Sequence, residues 1–395
     1  MKKIITVILI IFLIQILSGC WSKRELNELA LVAALGIDLI DGEYAISVQV
    51  INPSQISSKQ SADGQAPVVT YHAKGKTVFE AVRKILASSP RKLYFAHLQL
   101  IVIGEELASN GLKDTVDFLA RDQEIRNDFT FIVSQQATAK DVLNVLTPIE
   151  KIPANKMLNS LKAMQEAWGS TLEVGIEELL TKLSAKGQYY VLSAIEINGD
   201  KRLGIDPTNV ERIETPVILK FTGLAIFQED KLLGYLNEYE SKSFNYLNNK
   251  IKSTIEIISC PSEGQLSTEV TQSKTKIKGL TNDGKPIINV SIDVVQNVAE
   301  VKCDIDLTET KTIEWIDNQT EELIEKNIKQ VLNTIQKNYK ADVLGFGEAI
   351  HRADPKEWKE IKGAWETIYP EIEVNVKVNV KTQGLGTLQN SKLRE

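Results

Sequence analysis

Apolar residues in this chain follow three different patterns. Ile4 to Leu17 is a continuous apolar run broken only by Thr6 and Gln15. Tyr44, Ile46, Val48 and Val50 alternate with other residues, as do Ile372, Val374, Val376, Val378 and Val380. A period of two turns one face of a strand inward. Ile313, Ile316, Leu323, Ile324, Ile328, Val331, Leu332 and Ile335 instead form one stripe at helical spacing. That stripe predicts a helix over Thr312–Tyr339, about 42 Å long at 1.5 Å per residue, with its apolar face toward a core.

The remaining elements follow in order. Leu31–Ile40 and Tyr44–Ile51 read as strands joined by the turn residues Asp41-Gly42. Pro53–Gln65 is rich in Ser and Gln and reads as an exposed loop, and Val68–Ala73 resumes extended structure. Thr77-Val78-Phe79-Glu80 is a capping box that opens a helix to about Ala87, stopped by Pro90. Leu98–Ile103, Phe129–Val133 and Tyr189–Ile197 read as strands. Leu112–Arg121, Ala139–Leu146, Pro153–Trp168 and Gly175–Lys186 read as helices. Further on, Val217–Phe227 and Lys231–Tyr235 form a hairpin turning at Glu229-Asp230. Lys252–Ser259, Leu266–Lys278, Ile287–Val295 and Ala299–Asp306 read as successive strands, and Lys356–Thr367 is a helix started by Pro355.

This order gives an α+β, multi-domain fold with mixed and antiparallel sheets packed with helices, and a long amphipathic helix in the C-terminal domain. Gly199, Gly204 and Pro207 lie among charges in Asn198–Ile213, which marks the expected boundary. The expected domains are 21–200 and 213–390, after a signal peptide at 1–19.

The apolar run at the start carries the sharpest chemistry. Lys2-Lys3 precedes it and Leu17-Ser18-Gly19-Cys20 closes it. It is short for a spanning helix, which needs roughly 20 residues, but suits a secretory signal. Leu17, Ser18 and Gly19 before Cys20 form a lipobox, in which the Cys20 thiol takes a diacylglycerol thioether and the new N-terminus is acylated, for instance by palmitate. Two acyl chains hold a protein on one leaflet where a single chain binds only marginally. Trp21–Glu28 is then a polar tether, with a short helix from near Lys23.

Composition narrows the field. The formal net charge is −6, which argues against nucleic acid and against charge-driven adhesion to anionic lipid. Cys260 and Cys303 are left after Cys20; in an exported protein they could pair, but a body this large does not need a disulfide, so two half-buried thiols are the favoured expectation. His72, His97 and His351 are too scattered for a metal site, and no cofactor is implied.

A set of short segments is spread across the mature chain: Gly19-Cys20-Trp21, Arg24-Glu25-Leu26, Leu31-Val32, Leu35-Gly36-Ile37-Asp38, Pro90-Arg91, His97, Ile103-Gly104-Glu105-Glu106-Leu107-Ala108, Gly111-Leu112 and Arg121-Asp122 with Glu124-Ile125-Arg126. The set continues in Gly223–Phe227, Lys231–Gly234, Asp354-Pro355-Lys356-Glu357-Trp358 and Trp365. In these segments the sequence resembles the spore germination lipoproteins, the C subunits of Ger-type germinant receptors, Ger(x)C. Ser22 departs from the acidic residue frequent after the Trp. The resemblance implies a three-domain α+β body with no known catalysis. It also implies assembly with two integral membrane subunits, and a place on the outer face of the spore inner membrane. No small-molecule ligand is established by it.

Enzymatic motifs do not survive inspection. Gly75-Lys76-Thr77 would end a phosphate loop, but Thr70 stands where its first Gly belongs. Gly345-Phe346-Gly347 lacks the third Gly of a dinucleotide fingerprint, where Ile350 stands. Asp304 and Asp306 read as one solvated strand face, and His97 as a hydrogen-bonded structural histidine with no nucleophile around it. Pro90-Arg91-Lys92 and Arg121–Arg126 are charge clusters that serve as a solvated face or as a docking surface. The rival classes are a solute-binding lipoprotein of a transport system, which needs repeated parallel βαβ lobes, and an envelope hydrolase.

Overall fold

The computed structural model describes residues 28–57, 66–183, 189–282 and 284–386. The tether with its short helix, the lipobox and Cys20 lie outside them. Two mixed sheets packed with helices make two domains, where the family resemblance implied three.

The first sheet holds β1 (Leu29–Ile40), β2 (Glu43–Ile51), β3 (Val68–Gly75), β4 (Lys92–Tyr94), β5 (Leu100–Ile103), β6 (Thr130–Ser134), β7 (Tyr189–Asn198), β8 (Ile218–Gln228) and β9 (Lys231–Leu236). Their order is β3-β2-β1-β5-β6-β7-β8-β9, with β4 paired to the start of β1. β1, β5, β6 and β7 run parallel, and antiparallel hairpins extend the sheet at both ends. Asp41 and Gly42 turn the first hairpin at φ of 55° and 78°, which the Asp-Gly pair adopts readily.

Both faces of the central strands are covered. On one face lie α1 (Val78–Ile85), α2 (Glu105–Asn110), α3 (Lys113–Arg121) and α6 (Ile176–Leu183); on the other lie α4 (Ala139–Asn144) and α5 (Pro153–Ala167). Two-sided burial explains why β5 is Leu-Ile-Val-Ile without a polar residue. Thr77 caps α1 as expected, accepting from Glu80 N at 3.1 Å. Pro53–Ser57, expected as loop, is a short helix, and 58–65 of that loop lies outside the described residues.

The second sheet contains β10 (Thr254–Ser259), β11 (Gln265–Asn282), β12 (Lys285–Val301) and β13 (Glu373–Gly384), in that order. The two strands expected over 287–306 are one strand, β12, carried past Val295 by irregularities in its pairing with β11. Asp304 and Asp306 fall after it rather than on a strand face, and Asp306 accepts from Thr308 N at 2.8 Å in a turn. β13 is parallel to β12 and is reached through α8 (Thr310–Asn333), α9 (Phe346–Ala353) and α10 (Pro355–Ile361). The apolar stripe of α8 packs on the inner sheet face, with Ile316, Ile324, Ile328 and Val331 buried. Asp317, Glu321 and Glu325, one turn apart on α8, accept from Thr382 N at 2.9 Å, Val380 N at 2.8 Å and Val378 N at 3.1 Å. These carboxylates stand in for a neighbouring strand along the β13 edge, which would otherwise invite pairing with another chain.

Cys260 and Cys303 form a disulfide, contrary to the expected free thiols. Pairing of Ser259 with Gln265 and of Leu266 with Val301 brings the ends of β10 and β12 to opposite sides of the start of β11. Sequence separation conceals that approach.

The segment Asn198–Ile213 does not separate the sheets. It carries two short helices and joins β7 to its hydrogen-bonded neighbour β8, so the first sheet continues through Leu236. The crossing to the second sheet is made by α7 (Glu238–Leu247), a helix without a clear apolar stripe. Asn237 and Glu240 close a capping box at its start. Every residue from Ser241 to Leu247 is buried. Ser241 Oγ accepts from Leu224 N at 2.9 Å and donates to Leu236 O at 3.2 Å. Asn245 donates to Gly169 O at 2.8 Å and Thr171 O at 3.0 Å. Lys242 Nζ lies 3.2 Å from Glu256 Oε1, donates to Ile255 O at 2.9 Å and sits 5.0 Å from the Trp168 ring centre. Tyr246 donates its hydroxyl to the same Glu256 oxygen at 3.0 Å. Burial outweighs the pull of Lys242 and Tyr246 and holds the Glu256 carboxyl above its ordinary range.

Removing one partner of a buried pair leaves an unmatched charge and costs about 3–5 kcal/mol, whereas replacing both by apolar residues is often neutral. Lys242→Met should therefore lose stability of that order in urea unfolding. Lys242→Met with Glu256→Leu should recover most of it, and equal loss in both variants would contradict the assignment.

Candidate functional site

Asp38 and Gly104, from two separate family segments, meet in space. The β1 to β5 pairing sets the end of one strand beside the end of the other. Asp38 is buried, and its Oδ1 and Oδ2 accept from Ala139 N at 2.7 Å and Lys140 N at 3.1 Å at the start of α4. A Cβ on Gly104 would stand 2.0 Å from Asp38 Oδ1, so only glycine fits there. Gly36 gives similar room to Leu143 and Ala139. Burial raises the Asp38 carboxyl above its ordinary value, against the pull of the two amides.

The next segment locks α2 and α3 to the β8–β9 hairpin. Tyr235 donates its hydroxyl to Glu105 Oε1 at 2.7 Å, and Glu105 Oε2 accepts from Gln136 N at 2.9 Å. Gly111, at φ 132°, lies under Asp230, whose backbone carbonyl accepts from Leu112 N at 2.9 Å. Gly234 leaves space for the Tyr339 ring, whose hydroxyl donates to Tyr235 O at 2.9 Å and accepts from Tyr235 N at 3.1 Å.

The C-terminal family residues build a third cluster. Asp342 is half-buried and accepts from Phe346 N at 2.7 Å, Gly347 N at 2.8 Å and Trp365 Nε1 at 3.0 Å. Its carboxyl is raised, by burial, above the ordinary range. Trp358 and Trp365 meet edge to face at 5.0 Å over Gly347. Asp354 caps α10, accepting from Lys356 N at 3.1 Å and Glu357 N at 3.0 Å. These carboxylates are spent on backbone and side-chain donors within the fold.

The two charge clusters converge where the described chain begins. β4 pairs Lys92 with Leu29, and Lys92 Nζ makes an ion pair with Glu124. Leu29, Tyr94, Glu124 and Arg126 line an open cleft of about 530 Å³ there. Phe79 and Tyr94 are exposed nearby, and the Arg83 guanidinium lies 4.8 Å from the Phe79 ring centre. His97 is exposed, with the Tyr94 ring 6.1 Å away, and is not the hydrogen-bonded structural histidine expected. Among the described residues no group of three His, Cys, Asp or Glu is placed to hold a metal ion.

Two mixed sheets joined through a buried helix, with family residues buried in the joints, define a known fold class. The crystal structure of the GerBC protein shares it, with a TM-score of 0.57 at 22% identity over 88% of this chain and 96% of that one. The chain belongs to the spore germination B3/GerAC family. The spore germination protein N-terminal domain matches residues 22–197, and the B3/GerAC-like C-terminal domain matches 222–386. Spore germination protein KC of Bacillus subtilis (strain 168) is 33% identical over 98% of this chain and 97% of its own length. Spore germination protein B3 of the same organism is 24% identical over 95% and 96%.

Asp38→Ala removes two buried acceptors and should cost about 2 kcal/mol. A carboxyl raised in the folded state contributes stability that is complete below its ordinary value and lost as pH rises through the raised one. Asp38→Asn removes that titration. Its stability relative to the parent should therefore improve from about pH 4 to about pH 7. Urea unfolding at both pH values checks this, and a parallel pair of curves would refute it.

Proposed function

We propose that this protein is a lipid-anchored, non-catalytic subunit of a spore nutrient germinant receptor, held on the outer face of the spore inner membrane by Cys20. Near-complete coverage of a spore germination relative at 33% identity carries the receptor reading. The Leu17-Ser18-Gly19-Cys20 lipobox carries the anchor. No helix of the described residues is long and apolar enough to cross a membrane. Confinement to one surface raises the effective concentration of the chain near two integral membrane subunits, so modest contacts suffice for assembly. Asp38, Glu105 and Asp342 are hydrogen-bonded to donors within the fold, which supports a scaffold over an enzyme.

A solute-binding lipoprotein would close two parallel βαβ lobes around a hinge. The second sheet is antiparallel across β10, β11 and β12, and the buried polar network of α7 ties the two halves together.

Cys20→Ala should abolish incorporation of radiolabelled palmitate, and spores carrying only this variant should lose the response to one set of nutrients while growth and sporulation stay intact. Label persisting on the variant would sink the anchor. Normal responses to every nutrient, in a strain with no other receptor of this type, would sink the receptor.

A further inference from the structure

The net charge of −6 conceals a segregated basic face. The inner side of the second sheet is covered by α8 and α9, and the outer side faces solvent. Lys274, Lys276 and Lys278 alternate outward along β11, and Lys377 and Lys381 along β13. The register places Lys276, Ser291 and Lys377 in one row across three strands, so those two lysines stand roughly 10 Å apart. Successive lysines on β11 are about 7 Å apart. All five are exposed, and none is in an ion pair among the described residues. Two carboxylates share this face and keep their charge, Asp293 opposite Lys274 and accepting from Asn379 at 3.0 Å, Glu373 accepting from Asn375 at 3.1 Å; the five lysines outnumber them.

Like charges this close repel each other across a sheet, and an external anion relieves that repulsion. The composition of the face tells which anion. Protein interfaces are enriched in aromatic residues and Arg and depleted in Lys. Directly across from these lysines stand Asn289, Ser291, Asp293 and Val295 on β12, with no aromatic residue and no Arg. Lysine ammonium groups are hydrated point charges, suited to a diffuse layer of phosphates rather than to bidentate pairing. A broad strand surface matches an extended planar one.

We propose that this face, carrying Lys274, Lys276, Lys278, Lys377 and Lys381, docks electrostatically on the anionic phospholipid headgroups of the membrane that holds Cys20. The inference rests on the anchored reading above. The anchor keeps the chain at the membrane; the lysine face sets which side of the body turns toward it. A juxtamembrane Lys contributes about 1 kcal/mol, roughly a fivefold change in occupancy, and the effect falls off within a Debye length of about 10 Å at 0.1 M salt.

The test uses the full acylated chain in vesicles of phosphatidylcholine, alone or mixed with phosphatidylglycerol. Amine acylation rates at each lysine are read by mass spectrometry. In mixed vesicles the five lysines should react at least about fivefold more slowly than in neutral ones, and high salt should erase the difference. Lys113 and Lys359, on other surfaces, should not change. Lys276→Glu with Lys278→Glu and Lys377→Glu should restore fast reaction at Lys274 and Lys381. Equal rates in both vesicle types would overturn the proposal. So would protection found in spore membranes and never in pure lipid, which would assign the face to a protein. Failure of the anchor shows separately, as failure of the protein to float with neutral vesicles.

Discussion

The Lys242–Glu256 pair is the contact on which the two-sheet arrangement depends. Lys242 comes from α7 and Glu256 from β10, both almost wholly buried, and the same ammonium reaches Ile255 O and the Trp168 ring. Trp168 ends α5 on the first sheet, so one cation binds the helical layer of one domain to a strand of the other. Such a pair carries a desolvation cost that Coulomb attraction only partly offsets. Its value lies in directionality: a wrong docking of the sheets would strand a charge. Ser241, Asn245 and Tyr246 add hydrogen bonds of the same specifying kind around it.

This joint was the least legible part of the sequence. Asn237–Leu247 reads as polar, and periodicity assigns a polar stretch to the surface. The Asn237/Glu240 capping box is a local signal for a helix there that went unread. The expected boundary at Asn198–Ile213 falls between the two matched family domains, yet the first sheet runs on past it. Gly and Pro mark a break in local regularity, but hydrogen bonding across the break is a tertiary property, and β8 and β9 complete the first sheet. The disulfide was hidden likewise, since the approach of Cys260 to Cys303 depends on the register of β11 with both neighbours. By contrast the β1–β2 hairpin, α1 with its cap, α8 and β13 were legible because hydrophobic period and a turn or cap agreed.

Family likeness and interaction surface report on different physics. Gly104 beside Asp38, Gly111 beside Asp230, Gly234 beside Tyr339 and Gly347 beneath two tryptophans are all close approaches where a Cβ has no room. Residues under that constraint tolerate little change, so they carry a resemblance even where overall identity is low. They sit inside the joints of the fold and offer nothing to a partner. The resemblance reaches the surface as well, through the exposed Arg91, His97, Arg121 and Arg126.

Surface chemistry is constrained mainly by arrangement. Lys274, Lys276 and Lys278 look like an ordinary solvated strand when read singly, and the acidic total argues against attraction to anionic lipid. Once β13 is laid parallel to β12, Lys377 and Lys381 join the same face and the acids on it are already bonded to asparagines. The β13 edge is closed by Asp317, Glu321 and Glu325, so those carboxylates lie at the rim and inner side while the lysines outnumber Asp293 and Glu373 on the outer plane. A body with that separation has an electrostatic direction, and a tethered body with a direction has a preferred orientation on a charged membrane.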